Sequence, residues 1–379
     1  MSNAPLLGIT VVEFGHSVAA PFAGQVLGDL GAEVWKVEKA GGDDARKWGP
    51  PFIGGTGATF LALNRSKRSV VRDLRDPQQR DELLEFILKR ADIVLQNMRP
   101  GQVDELGLGA DALTSAKPSL IYCNMGAFGA RGPLRRRPGY DPLMQAFGGI
   151  MSVTGEEGRP PVRVGPSIID MGTAMWAVIG ILSALHRRSE TGKGGVVDVS
   201  LFETAASWMS IHALQTLAAG APPQRQGSGQ VGIVPYRAFE TADGWVVVAA
   251  GNDGLFAGFC GVLGHPEWAR DARFASNPLR VENQPALLAL IEPLMRARPS
   301  AEWIAALDRA GVPCAPVQDA SGLLAHEQTA ALGLLQAVSG FEQELMGLPV
   351  SFDGVRPEAS RPPPALGEHT TLLAPERAG

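Results

Sequence analysis

A single carboxylate interrupts the apolar stretch "VGPSIIDMGTAMWAVIGILSALHRR". Asp170 follows Ile168 and Ile169, and it precedes an apolar segment, Met171–Leu185, whose spacing predicts a helix. An aspartate just before a helix is a common N-cap, which is a structural role. A nucleophilic carboxylate needs similar surroundings, because a helix N-terminus stabilises its charge and apolar neighbours exclude water. The sequence pattern leaves both interpretations open.

The composition of the chain is that of a globular protein. Of its 379 residues, 45% are hydrophobic and 19% are charged, without repeats or biased segments. This length favours two domains over one. The net charge of −5 disfavours a dedicated nucleic-acid-binding protein, which usually carries a basic excess. We therefore expect no nucleic-acid partner.

The cysteines and the apolar segments predict a soluble, cytoplasmic protein. Cys123, Cys260 and Cys314 are far apart and odd in number, so neither a disulfide framework nor a Cys-x-x-Cys metal pair is expected. A reducing compartment suits such cysteines. The N-terminal stretch "MSNAPLLGITVVEFG" lacks the pattern of a secretory signal. The segment Met171–Leu185 is predicted to be too short to span a bilayer, and no membrane partner is expected.

Strand and helix patterns alternate through the first half of the chain. "GITVVEFG" and "AEVWKVEK" have the pattern of strands, and "SVAAPFAGQVLGDLG" between them has helical spacing that ends at Gly31. The alternation continues through "SKRSVVRDL", "PQQRDELLEFILKRA", "DIVLQNM" and "SLIYCNMGAFG". This pattern predicts an α/β fold with an open, mostly parallel sheet and helices on both of its faces.

A smaller α+β domain is predicted after a linker at about residues 221–235, which are rich in Gly, Pro and Gln. "YRAFETADGWVVVAAG" predicts a hairpin that turns at Asp243-Gly244, and helical segments follow it. The proline-rich tail "SRPPPALGEHTTLLAP" is expected to pack over the first domain. We predict a large domain over residues 1–220, a small domain over 221–325 and a return segment over 326–379 that completes the large domain.

The segment "GSGQVG", Gly227–Gly232, matches a dinucleotide-binding pattern by letter only. That motif requires a strand before it and a helix after it, and Pro235 blocks a helix here. We interpret the segment as a flexible loop or, if it is functional, as a mobile lid. The six histidines have no ligand spacing, so metal chemistry is not expected.

Basic residues are concentrated in the first half of the chain. Several of them fall at the predicted C-terminal ends of strands, which is the edge where open α/β sheets bind ligands. Each one alone is typical of solvated surface, but together they suit a ligand that carries several phosphates. They are Lys36, Lys39, Arg46, Lys47, Arg65, Lys67, Arg68, Arg72, Arg75, Arg99, Arg131 and Arg135–Arg137.

Six separated blocks of the sequence resemble the class III CoA-transferases, the family of formyl-CoA transferase and carnitine CoA-transferase. The blocks are "LLGITVVEFGHSVAAPFAGQVLGDLGAEVWKVEKAGGDDAR", "LNRSKRSVVRDL", "QNMRPGQVDELGLG", "GYDPLMQAFGG", "DMGTAMWAVIGILSALHRRSETGKGGVVDVSLFETA" and "PALGEHT". The resemblance covers nearly the whole chain. It implies a Rossmann-like large domain built from both chain ends, an inserted small domain and an interlocked homodimer.

The resemblance also implies a role for Asp170, because the family aspartate at this position is the nucleophile. Its carboxylate would attack the thioester of a donor acyl-CoA, giving a mixed anhydride and then an aspartyl-CoA thioester. An acceptor acid would repeat the exchange in reverse, with the thioester energy retained as long as water is excluded. No prosthetic group is implied, and the CoA thioester is a substrate.

The same resemblance implies a CoA site and an acid site. The CoA contacts would come from His16, Val18, Ala19, Lys39, Arg72, Asp73, Leu74, Arg75, Asn97, Met98, Arg99, Tyr140 and Asp141. Glu105 departs from the family pattern, since many members have a phosphate-contacting arginine there, and Arg99 or Arg135–Arg137 would have to supply that contact.

The stretch "GIVPYRAFETADGWVVVAAGNDGLF" resembles the subgroup that includes succinyl-CoA:glutarate CoA-transferase, which implies a small dicarboxylic acid as acceptor. A second carboxylate needs a cation, and Arg46 or Arg163 is the candidate. Gly227, Gly229 and Gln230 complete the predicted acid site, although Gln230 or Val231 replaces the usual family histidine.

Two alternative functions remain. The family includes α-methylacyl-CoA racemases, in which a Gly-His-Asp motif supplies a histidine for proton transfer. Tyr140 occupies that position here, and a tyrosine, with a reference pKa of about 10, is a poor proton shuttle at neutral pH, which favours transfer. The other alternative is a non-catalytic CoA-binding paralogue in which Asp170 is merely an N-cap.

Overall fold

The computed structural model describes residues 4–373, which form two compact units. The larger unit contains the described parts of Met1–Ile150, Arg163–Ile211 and Glu327–Gly379, and the smaller unit contains Met151–Val162 and His212–His326. The boundary after residue 211 precedes the predicted boundary after residue 220. The assignment of 151–162 to the smaller unit is a feature that the sequence pattern did not predict.

The strands and helices follow the predicted alternation through the first half of the chain. The strands are β1 Thr10–Phe14, β2 Glu33–Glu38, β3 Phe52–Ile53, β4 Thr56–Gly57, β5 Lys67–Val71, β6 Ile93–Gln96, β7 Ile121–Gly126, β8 Gly195–Ser200, β9 Tyr236–Glu240, β10 Trp245–Ala249, β11 Cys314–Pro316, β12 Leu335–Gln336 and β13 Leu345–Met346. The helices are α1 Ala19–Asp29, α2 Ala58–Leu63, α3 Pro77–Arg90, α4 Gln102–Glu105, α5 Ala110–Ala116, α6 Asp141–Phe147, α7 Ile150–Val153, α8 Ile168–Thr191, α9 Leu201–Trp208, α10 Ser210–Ala219, α11 Asp253–Leu263, α12 Asn277–Glu282, α13 Gln284–Met295, α14 Ser300–Arg309, α15 Ala320–Ala325 and α16 Glu327–Ala331.

The larger unit is built on a six-stranded sheet in the order β5-β2-β1-β6-β7-β8, and all of its strand pairs are parallel. Helices cover both faces, which confirms the predicted α/β class. The inner strands are buried on both sides, as expected of a parallel sheet between helices. Strand β8 was not predicted, because its sequence "GVVDVS" lies at the sheet edge with only its last residue fully buried.

Helix α8 is the longest helix of the larger unit and carries Asp170. It packs against α1, β7 and β8, and it ends where Gly192 adopts a left-handed conformation with φ of 70°. Its 24 residues correct the prediction of a shorter segment over Met171–Leu185. By length and composition α8 is apolar enough to cross a membrane, with a mean hydropathy of 1.8, but half of that window is buried within the protein, as in a core helix.

The smaller unit contains the predicted hairpin. Strands β9 and β10 pair antiparallel around the turn at Asp243-Gly244, and β11 adds to the other edge of β10. Asp243 stabilises the turn region by accepting hydrogen bonds from Ser300 N and Thr241 Oγ1. The surrounding helices bury an apolar core of their own, which includes Phe239, Val246, Phe256, Phe259, Leu287, Ile291 and Trp303.

The C-terminal segment of the larger unit runs along the edge strand β5. Ser66 N donates to Arg361 O, and His369 N donates to Ser69 O. Farther along, Thr370 Oγ1 accepts from Val71 N at 3.0 Å. The proline-rich tail therefore satisfies backbone groups of β5 that a sheet edge would otherwise leave exposed.

Candidate active site

A cavity of about 1270 Å³ lies at the C-terminal ends of β1, β2, β5, β6 and β7, entirely within the larger unit. Side chains from the loops after these strands line it, as the topology of an open parallel sheet predicts. The lining residues are Phe14–Ala19, Val37–Asp44, Arg72–Arg75, Asn97–Pro100, Gln102, Glu105, Leu106, Met125–Ala127, Pro138–Tyr140, Asp170 and Leu201.

Asp170 lies in the wall of this cavity as the third residue of α8. The helix begins at Ile168, so Asp170 lies inside the first turn and is not the N-cap. The N-cap position belongs to Ser167, whose side chain makes no capping hydrogen bond. Asp141 caps the helix instead, because its Oδ2 accepts from Ile169 N at 2.8 Å and from Asp170 N at 3.2 Å. The N-cap interpretation of Asp170 was therefore wrong.

The surroundings of Asp170 oppose its ionisation. Burial, and to a lesser extent the negative charge of Asp141, together raise its pKa to about 7. Within residues 4–373, no side chain or backbone N–H donates a hydrogen bond to the Asp170 carboxylate. A carboxylate with so high a proton affinity is a stronger nucleophile once it is ionised, and it gains free energy by losing its charge.

The loop after β1, residues 15–19, forms another wall of the cavity. Asn97 holds it with two hydrogen bonds, accepting from His16 N at 3.0 Å and donating to His16 O at 2.9 Å. Ser17 has a φ of 68°, a left-handed conformation that is unfavourable for a serine. Its N–H donates to Asp43 Oδ1 at 3.0 Å. Burial lowers the pKa of His16, so this ring is neutral at pH 7.

A buried ion cluster supports this loop from below. Lys36 Nζ contacts Glu13 Oε1 and Asp43 Oδ2, both at 2.9 Å, and donates to Gly15 O at 2.7 Å. Lys67 Nζ contacts the other oxygen of Glu13 at 2.8 Å. Burial alone lowers the pKa of Lys36, but Glu13 and Asp43 outweigh it and raise that pKa above its usual range. The lysine is therefore charged at any working pH.

One known family matches nearly the whole chain. The model of a family described as CoA-transferase family III matches residues 6–370. The chain belongs to CoA-transferase family III. The predicted resemblance is confirmed, and so is the prediction that the protein is a CoA-transferase enzyme.

Relatives and solved structures agree over almost the full chain. The acetyl-CoA:oxalate CoA-transferase of Acetobacter aceti is 38% identical over 380 residues, which cover 99% of this chain and 96% of that protein. The human succinyl-CoA:glutarate CoA-transferase is 34% identical, covering 98% and 86% of the two chains. A crystal structure of a CAIB/BAIF family protein from Brucella suis has a TM-score of 0.89 and 38% identity, covering 98% of this chain and 99% of that one.

Four of the predicted CoA-binding cations of this family III enzyme line the cavity: Lys39, Arg72, Arg75 and Arg99. Glu105 lines it as well, whereas Arg135–Arg137 are not among the lining residues. Of the predicted uncharged contacts, His16, Val18, Ala19, Leu74, Asn97, Met98 and Tyr140 line it, and so does Asp73. The structure thus brings together in one cavity twelve of the thirteen predicted CoA contacts, with Asp141 outside.

Several basic residues of the predicted phosphate-binding group have structural partners instead. Lys36 and Lys67 are fully buried in the ion cluster, and Arg65 pairs with Asp29 at 2.7 Å. Arg68 pairs with Glu33 at 3.0 Å. These side chains stabilise the larger unit and do not line the cavity.

The structure also separates part of the predicted site from the cavity. Asp141 is only 2% exposed and accepts hydrogen bonds from the start of α8, so it caps this helix and does not line the cavity. Arg46 forms a bidentate pair with Glu38, at 2.8 and 2.7 Å, and Arg163 donates to Val164 O and Gly165 O. Neither arginine lines the cavity. Gly227, Gly229 and Gln230 belong to the smaller unit.

Sequence reasoning missed how several residues position the site. Lys36 carried the only visible signal, a charge in the middle of a buried strand pattern. No sequence pattern indicates that the backbone of Ser17 is left-handed, and none indicates that Asp141 caps α8. Among residues 4–373, no group of three or more His, Cys, Asp or Glu side chains is arranged to hold a metal ion.

Proposed function

We propose that the enzyme transfers CoA from an acyl-CoA such as succinyl-CoA to a small dicarboxylic acid, with Asp170 as the covalent nucleophile. The observation that carries this proposal is a half-buried carboxylate with a raised pKa in the wall of a cavity that four cations line. The names of two relatives, which act on oxalate and on glutarate, support a dicarboxylic acceptor.

The reaction begins when ionised Asp170 attacks the thioester carbonyl carbon of the donor. A C–O bond forms, the C–S bond breaks, and CoA thiolate leaves a mixed anhydride on the enzyme. The thiolate then attacks the Asp170 carbonyl carbon, which releases the donor acid as a carboxylate and leaves an aspartyl-CoA thioester. The acceptor carboxylate repeats the two steps in reverse order.

Each step exchanges one carboxylate for another, so the free energy of the thioester is kept as long as water does not hydrolyse the intermediates. Ile169 is buried beside Asp170, and Met125 and Leu201 contribute apolar surface to the same cavity. Lys39, Arg72, Arg75 and Arg99 are the cations proposed to bind the phosphates of CoA.

We also propose that the enzyme is a homodimer. Helix α8 exposes Met175, Trp176, Ile179 and Leu182 along one side, with Met175 56% exposed. A contiguous apolar face of this kind is typical of a protein interface. Light scattering is expected to report a mass near twice that of one chain.

Trapping of the intermediate tests the proposed chemistry. The enzyme is incubated with succinyl-CoA, treated with borohydride or hydroxylamine, and mapped by peptide mass spectrometry. We expect modification at Asp170 alone, and a loss of CoA transfer of at least about 10³-fold in Asp170→Asn, because the amide cannot form the anhydride.

The matched control is Asp81→Asn, which changes an exposed helix carboxylate and should retain wild-type transfer. Transfer by Asp170→Asn at the wild-type rate would contradict the proposal. Deuterium wash-in at the α-carbon of a bound acyl-CoA, without transfer to free acids, would support the racemase alternative instead.

A further inference from the structure

Asp141 is a buried carboxylate with three hydrogen-bond donors and no cation. Its Oδ2 accepts from the backbone N–H groups of Ile169 and Asp170, and its Oδ1 accepts from Gln145 Nε2 at 2.6 Å. Gln145 is itself held in place, because its Oε1 accepts from Val164 N at 2.8 Å. In the described chain, no Lys, Arg or His forms an ion pair with Asp141.

This arrangement distributes the available donors unequally between two neighbouring carboxylates. Backbone N–H groups at a helix start stabilise an ionised carboxylate, and here they are directed to Asp141. The side chain of Asp170 receives none of them, although it belongs to the same helical turn. Asp170 must therefore ionise in the field of the Asp141 carboxylate without such donors of its own.

Asp141 is the one charged group among the causes of the raised pKa of Asp170. The elements that pack against α8 contribute three further carboxylates and two uncharged titratable groups, each with its own surroundings. They are Asp29 on α1, paired with Arg65; Asp198 on β8, bonded to Asn124; Glu203 on α9, bonded to Ser200; and Tyr122 and Cys123 on β7, both buried. On α8 itself the other charged side chains lie at its C-terminal end, from His186 onwards. The cavity that Asp170 lines is also lined by His16 and Tyr140 and by the cations Lys39, Arg72, Arg75 and Arg99.

We propose that Asp141 is a positioning residue that holds the first turn of α8 and destabilises the ionised form of Asp170, and thereby favours the uncharged aspartyl-CoA thioester. The part of this inference that concerns the aspartyl-CoA thioester rests on the proposed function, and the part that concerns the ionisation of Asp170 does not. When the thioester forms, the negative charge leaves the buried site with the departing donor carboxylate. The like-charge repulsion between Asp141 and Asp170 is then relieved, so the covalent intermediate is stabilised relative to the free enzyme.

The first experiment measures Asp170 in the absence of substrate. A water-soluble carbodiimide labels protonated carboxyl groups, and peptide mass spectrometry gives the pH at which half of Asp170 reacts. Asp141→Asn should lower this midpoint by at least about one pH unit, a tenfold loss of proton affinity. Asp141→Ser keeps a capping oxygen without the charge and should act in the same direction, and it serves if the Asn variant does not fold.

The matched control separates charge from geometry. Gln145→Ala removes the bond to Asp141 Oδ1 but leaves the Asp141 charge in place, so its midpoint should stay close to that of the wild type. An unchanged midpoint in Asp141→Asn and Asp141→Ser would overturn the proposal. An equal shift in Gln145→Ala would also overturn it, because the effect would then be structural.

The second experiment measures the covalent intermediate. At fixed succinyl-CoA and succinate, the trapped fraction of aspartyl-CoA should fall severalfold in Asp141→Asn and remain near wild type in Gln145→Ala. Failure of the proposed function has a different signature, because wild-type enzyme would then yield no trapped thioester while the midpoint shift would persist. A lower midpoint without any loss of trapped intermediate overturns the link between the charge and the thioester.

Discussion

Two walls of the cavity treat buried charge in opposite ways. Beneath the loop at residues 15–19, the carboxylates Glu13, Glu38 and Asp43 are matched by the cations Lys36, Arg46 and Lys67. At the start of α8, Asp141 and Asp170 lie together without a paired cation in the part of the chain that the structure describes. The balanced wall holds the loop rigidly. In the unbalanced wall the ionised Asp170 is destabilised, so a reaction that removes its charge lowers the free energy of the site.

The comparison predicts opposite results when one charge is removed from each wall. In a balanced buried cluster, deletion of one ion leaves its partners uncompensated, which costs more than the pair itself contributes. In an unbalanced pair of like charges, deletion of one ion relieves repulsion and desolvation. The same type of substitution should therefore destabilise one wall and stabilise the other.

The largest effect is expected for Lys36→Met. This substitution leaves Glu13 and Asp43 buried without their shared cation and should lower the free energy of unfolding by about 3–5 kcal/mol. Urea unfolding at pH 7 measures it. Lys39→Met is the control on the same stretch of chain, because the ion pair of Lys39 with Asp44 is exposed and should contribute almost nothing. Equal stability of the two variants would contradict a balanced cluster.

The second effect has the opposite sign. Asp170→Asn should raise the free energy of unfolding at pH 8 by about 2–4 kcal/mol, because the folded pKa of Asp170, about 7, exceeds its usual value of 3.8. The folded state binds the proton more tightly than the unfolded state, so ionised Asp170 costs stability at high pH. The gain should shrink as the pH falls from 7 and should vanish below the unfolded-state pKa of 3.8, where both states are protonated.

Urea unfolding of wild type and Asp170→Asn over this pH range measures the second effect, with Asp81→Asn as the control that should show no such dependence. A gain that grows as the pH falls would mean that Asp170 is stabilised in its ionised form. The claim that the two walls differ in how they stabilise buried charge would then be wrong.

The sequence predicted the sheet and the position of Asp170 near a helix start because both depend on local pattern. Buried parallel strands read as short β-branched runs, and the loops at their C-terminal ends converge on one edge. This is why residues as far apart as His16, Lys39, Arg72 and Asn97 line one cavity. The long apolar helix likewise placed Asp170 near a helix N-terminus, although its exact start was misjudged.

The contacts that set the chemistry depend on tertiary structure and left little trace in the sequence. The sequence pattern predicts that Arg46 is a free cation, but in the fold it pairs with Glu38. The pattern places Asp141 at the entrance of the active site, but in the fold its carboxylate caps the start of α8. Partners this far apart in sequence are matched only when the chain folds. The same holds for the two arginines predicted to bind the acceptor acid, because Arg46 pairs with Glu38 and Arg163 bonds to backbone carbonyl groups.

The smallest effect tests the balanced wall through its backbone. The hydrogen bond from Ser17 N–H to Asp43 holds Ser17 at a φ of 68°, which is a strained backbone conformation for a serine. The strain in this wall is conformational, whereas the strain at the start of α8 is electrostatic. Ser17→Ala and Ser17→Gly both remove the hydroxyl that contacts His16 Nδ1, and they differ only in the Cβ atom.

At an ordinary position glycine is less stable than alanine by about 0.5–1 kcal/mol, because it loses more backbone freedom on folding. At a left-handed position the order reverses, and we expect Ser17→Gly to be more stable than Ser17→Ala by about 1 kcal/mol in urea unfolding. The glycine variant should also bind acyl-CoA more weakly, since the loop is then less restricted. The usual order, with alanine the more stable, would show that the ion cluster does not hold this loop in a strained form.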